Sequence, residues 1–171
     1  MKSLKIILSV LPFFLASTSF AAEHEVQMLN KGSDGGRMVF EPAFVVAEPR
    51  GYLITFVSVD KGNNSESMAV PDGAEGWKGK ISKDMSVTVQ ADCVYAFKCA
   101  PDFRMGMIGF VVVGDAAVNL EEVEGLRYVG RTKKVPAELI EQIKASGKPR
   151  ARISSVTAIG SGTFITAPNR W

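Results

Sequence analysis

Histidine is almost missing from this chain. His24 is the single imidazole among 171 residues. No Ser/His/Asp arrangement gathers around it, and there is no Gly-rich phosphate loop and no Cys-x-x-Cys pair, so no enzyme chemistry is legible. Long apolar runs are missing too. The longest, "IILSVLPFFLA", is far shorter than the ~20 residues a membrane-spanning helix needs. It follows basic "MKSLK" and precedes "STSFA", the three-part pattern of a secretory signal. Ser19 and Ala21 satisfy the small-x-small rule, placing cleavage after Ala21. The chain is therefore read as exported, with no transmembrane segment and no nucleic-acid partner.

Cysteine is scarce as well: Cys93 and Cys99 are the only two. Both belong to "CVYAFKC", an apolar and aromatic run that reads as one extended strand. At about 3.3 Å per residue their α-carbons would stand roughly 20 Å apart, beyond the ~7 Å a disulfide tolerates. No intrachain bridge is expected. Cys99 is then a buried thiol or a ligand, and Cys93 a thiol at a strand end, open to pairing between chains.

Charge is balanced in sum and uneven in place. Removing residues 1–21 leaves 18 basic and 18 acidic residues; 22–126 hold 9 Lys/Arg against 16 Asp/Glu, and 127–171 hold 9 against 2. An acidic body thus carries a basic C-terminal part, suited to folding back on its own domain or to meeting an acidic partner or anionic lipid.

Short alternating or uniformly apolar runs, "EVQMLN", "MVFEPAFVVAEP", "YLITFVSV", "MSVTVQ", "VYAFKC" and "MIGFVVVG", are separated by Gly, Pro, Asp and Asn. In "MSVTVQ", Met85, Val87 and Val89 face one way and Ser86, Thr88 and Gln90 the other, the period of a half-buried strand. The pattern is that of an all-β sandwich. After Gly114 it changes: "DAAVNLEEVEG" reads as a short helical or turning stretch, and "PAELIEQIKASG" as a helix with Pro136 at its start and Gly147 past its end. Residues 148–171 are first basic, then β-prone, either a disordered tail or an added hairpin.

From "EVQMLNKGSDGGRMVFEPA" through "VSVDKGNN", "VPDGAEGWKGKI", "VYAFKC" and "GMIGFVVVGDAAVNLEEVEG", the chain resembles the pseudoazurins, periplasmic blue-copper electron carriers. The resemblance covers residues 22–147 as one domain and implies a cupredoxin-type Greek-key β-sandwich with a C-terminal helical segment. It also implies a periplasmic location. Pseudoazurins hold copper with a His in a "GHN" turn and with Cys, His and Met in a "C-T-P-H-Y-G-M-G-M" loop. Here the turn reads "GNN" and the loop "CAPDFRMGM", so Cys99 and Met107 stand at retained ligand positions while Asn63 and Asp102 replace the two histidines. A blue-copper centre needs a trigonal His₂Cys plane with a weak axial thioether. Asn63 offers a weak carbonyl and Asp102 a hard oxygen, so a type 1 copper site is not expected; copper held by altered ligands is the alternative.

The plainer readings are a small buried hydrophobe for Cys99, packing for Met105 and Met107, and a solvated loop acid paired with Arg104 or a lysine for Asp102. Lys31, Lys61, Lys78, Lys80, Lys98 and Arg104 fall, by resemblance, around the copper end. In the family such a ring steers the carrier to acidic redox partners; here it is a retained docking face or ordinary loop solvation. His24, third residue after cleavage, could join the terminal amine and two amides in a square-planar Cu(II) site. The function expected is a non-redox binding module with no resident cofactor, against the alternative of a copper-binding or electron-transfer protein using Cys99, Met107 and Asp102.

Overall fold

The computed structural model describes residues 23–47 and 51–146. The signal segment 1–21 and the tail 148–171 lie outside the described residues. Among the described residues eight strands make two four-stranded sheets. In the first, order β2-β1-β4-β6, the strands are β1 (Glu23–Lys31), β2 (Arg37–Glu41), β4 (Tyr52–Val57) and β6 (Met85–Val89). In the second, order β3-β8-β7-β5, they are β3 (Phe44–Ala47), β5 (Glu66–Ala69), β7 (Cys93–Lys98) and β8 (Ile108–Val113). β1 runs parallel to β4 and β3 parallel to β8; the remaining pairs are antiparallel.

Alternation works as expected in the first sheet, where Val26, Met28, Ile54 and Phe56 point inward and are fully buried. The core between the sheets is joined by Phe97, which meets Phe40 at 4.8 Å and Phe56 at 4.9 Å edge to face, the favoured arrangement of aromatic quadrupoles. β7 and β8 instead read as continuous apolar runs because both their faces are covered. One side faces the inter-sheet core. The other carries Val94, Ala96, Ile108, Phe110 and Val112 against Val123 of α1 (Leu120–Glu124) and Leu139 and Ile143 of α2 (Val135–Ser146). Asn119 sews this layer on, accepting from Val94 N at 2.8 Å and donating to Val94 O at 2.9 Å.

Three local expectations are corrected. "MVFEPAFVVAEP" is two strands, because Pro42 cannot donate to a ladder and separates β2 from β3, which join different sheets. β5 has no counterpart among the six runs; its "ESMA" is half polar and its register shifts between Ser67 and Ala69. Cys93 is a buried thiol and not one open to another chain: it is 0% exposed within the inter-sheet core. Both cysteines are free, as their places at the start of β7 and just past its end require.

Candidate functional site at the Cys99 end

Three loops converge where β7 ends. The β4–β5 loop supplies Asn63 and Asn64, the β5–β6 loop brings Trp77 to Asp84, and the β7–β8 loop runs from Cys99 to Met107. Asn64 ties them together: its side chain accepts from Ala100 N at 2.9 Å and donates to Gly79 O at 3.0 Å. Two further backbone bonds, Gly79 N to Ser65 O and Ser82 N to Asn63 O, each 2.8 Å, close the second loop on the first. The third loop closes on itself through Cys99 N donating to Met107 O at 3.0 Å. It turns through a 3₁₀ segment, Phe103–Met105, that ends on Gly106 at φ 105°, a left-handed position open to glycine.

Cys99, Met107 and Asn63 meet in this corner, and each is 0% exposed. The Cys99 thiol faces Asp102 Oδ2 at 3.6 Å and Asn63 Oδ1 at 3.7 Å. The Asn63 amide donates in turn to Asn30 Oδ1 at 3.1 Å and to Asp60 O at 3.3 Å. Asp60 O can only accept, which fixes the amide so that Oδ1 points at the sulfur. Burial raises the Cys99 pKa, backbone amides of Asn64 and Asp102 pull it back in part, and the Asp102 carboxylate raises it further. The thiol is therefore held protonated.

The pairing expected for Asp102 is corrected by this geometry. It is half-buried and turned toward Cys99, whereas Arg104 is exposed, and the ion pairs among the described residues do not include it. A 3₁₀ turn rotates about 120° per residue, so side chains two apart leave it on different sides. Packing holds for Met107 but not for Met105, which is 39% exposed.

The six predicted cations lie in or beside the converging loops. Lys31 follows Asn30 at the end of β1; Lys61 precedes the Asn63 turn; Lys78 and Lys80 flank Gly79; Arg104 is in the 3₁₀ turn. Lys98 sits 5.4 Å over the Phe103 ring, and Lys78 reaches Glu66 at 3.5 Å. The sequence reading missed Lys83, exposed in the same β5–β6 loop, and the exposed apolar side chains Val59 of the β4–β5 loop and Ile81 of the β5–β6 loop. It also missed Asn30 and Asn64. The doublet "NN" was the available signal, since adjacent polar residues that both become buried must each find partners.

His24 is elsewhere. It lies six residues before Asn30 on β1, about 20 Å away along the strand, stacked on Tyr52 at 5.3 Å. Glu23 and His24 already pair with Leu53 and Ile54.

Residues 26–114 match the family of copper binding proteins, plastocyanin/azurin family. The chain belongs to this family. A pseudoazurin of Paracoccus pantotrophus is 47% identical over 133 residues, 77% of this chain and 86% of its own length. A Sinorhizobium pseudoazurin structure shares 48% identity with a TM-score of 0.69, covering 74% of this chain and 98% of its own. The pseudoazurin structure from Methylobacterium extorquens AM1 shares 41% with a TM-score of 0.66, covering 71% and 98%. The residues present do not fit a type 1 copper ion. Around Cys99 stand an amide oxygen already aligned by two donated hydrogen bonds and a carboxylate, with the Met107 thioether in the same buried core but no imidazole, so the trigonal His₂Cys plane of a type 1 centre is not there to be formed.

Proposed function

We propose that this member of the family is a periplasmic, non-redox docking module, exported by residues 1–21, whose folded domain 22–147 keeps the basic loop face of an electron carrier without its type 1 copper. The observation that supports this most directly is the pair of contacts from Cys99 to Asn63 and Asp102: the two positions where the resemblance calls for imidazoles hold hydrogen-bonding oxygens. Lys31, Lys61, Lys80, Lys83 and Arg104 surround that corner on an otherwise acidic body, and such a field speeds encounter with an acidic protein surface whether or not a metal lies beneath it. Val59, Ile81 and Met105 add exposed apolar area for contact. Among the described residues no helix is long and apolar enough to cross a membrane.

The test is an NMR titration of the mature protein with poly-glutamate. Shifts should concentrate at Lys61, Lys80, Lys83 and Arg104, disappear in high salt, and be the same with copper or with a chelator. Shifts spread evenly over the surface, or centred on the α1–α2 layer, would contradict the reading.

A further inference from the structure

The loops of the Cys99 corner are held together by a continuous chain of side chains. We propose that Asn30, Asn63, Cys99 and Asp102 form a hydrogen-bonded clasp that fixes these loops in place of a metal ion, leaving the docking face permanently set and indifferent to copper supply or redox state. This rests on the docking reading and extends it.

The four members come from three segments. Asn30 is the penultimate residue of β1 and is itself pinned, its backbone N donating to Asp60 Oδ2 at 2.7 Å. Asn63 carries the β4–β5 loop and spends both amide protons, on Asn30 and Asp60 O. Cys99 begins the β7–β8 loop, and Asp102 lies in the turn that returns to Met107. A thiol has one proton and faces two oxygens, so Asn63 and Asp102 are coupled through it. A shared donor of this kind makes removal of either partner felt by the other.

The clasp is also complete. Among the described residues no buried side-chain nitrogen or oxygen lacks a partner. Asn63, wholly buried, would otherwise cost the full desolvation of its amide. The surroundings are rigid as well: Gly130 of the segment before α2 approaches the Arg104 carbonyl so closely that a Cβ there would collide with it. The 3₁₀ turn is thereby backed by the helical layer. A metal usually does this work by binding side chains from several loops at once; here four side chains join β1, the β4–β5 loop and the β7–β8 loop.

The experiment is amide hydrogen exchange together with thermal melting, on the mature protein and on Asn63→Leu, Asp102→Ala and Asp102→Asn. The clasp predicts that Asn63→Leu and Asp102→Ala speed exchange at Ala100, Met107 and Ser82 by about tenfold while β1 and β8 amides hold their rates. Asp102→Asn keeps an acceptor and should behave as the unmodified protein does. The double variant Asn63→Leu/Asp102→Ala should open the loops more than the two single effects combined, since either oxygen alone can still take the one thiol proton. Unchanged loop exchange in both single variants overturns the clasp and leaves the docking reading standing. A melting temperature of the unmodified protein that rises with Cu(II), Cu(I) or Zn(II) overturns the clasp by showing the corner awaits an ion, and with copper it removes the docking reading too.

Discussion

The side-chain oxygen of Asn63 lies 3.7 Å from the sulfur of Cys99, which has travelled 36 residues along the chain to meet it. The contact joins the β4–β5 loop to the end of β7. In a copper-binding relative with histidine there, the same junction would be bridged through a metal; here an amide and a thiol meet directly, inside the fold and away from water. On the docking reading proposed above, function at this end rests on surface charge and not on an electron passing through it.

Burial of the second thiol gives the protein an alkaline limit. The Cys93 pKa is pushed from 9.0 to about 12, chiefly by burial and then by Glu122 and Asp92. A folded-state pKa above the unfolded value favours the folded protein while the thiol is neutral, so this stability is full below pH 9.0 and is lost progressively as pH rises toward about 12. Melting temperature should fall across that interval, and Cys93→Ala should flatten the fall. Native Cys93 should also resist a thiol reagent at neutral pH and react on addition of guanidinium. An identical pH profile in Cys93→Ala would refute the assignment.

A terminal Cu(II) site at His24 competes with the sheet for the same backbone. The site needs deprotonated amides arranged in a plane around the metal, whereas Glu23 and His24 pair with Leu53 and Ile54 and the imidazole stacks on Tyr52. The mature protein should therefore show no square-planar nitrogen spectrum with Cu(II). A spectrum that appears and is lost both in His24→Ala and on adding one residue before Ala22 would establish the site.

Strand period and the doubly covered runs of β7 and β8 carried most of the fold into view from the sequence. The apolar alternation of Met85, Val87 and Val89 is a local property, and so is the extended separation of Cys93 and Cys99. What was hidden depends on tertiary direction. Nothing in "CAPDFRMGM" says that the 3₁₀ turn aims Asp102 at the thiol and Arg104 at solvent. Nothing in "ESMA" announces a strand, because its ladder to β7 is supplied by a partner nearly 30 residues away. The resemblance located Asn63 as a missing ligand, but only the fold shows its amide spending both protons on Asn30 and Asp60.

Absorbance at about 600 nm tests the central claim most directly, because the intense thiolate-to-copper band needs a short Cu–S bond in a plane of two imidazoles. The mature protein with excess Cu(II) should remain colourless, and the Asn63→His/Asp102→His variant should turn blue through Cys99 and Met107. A strong blue or green band from the unmodified protein would contradict the account.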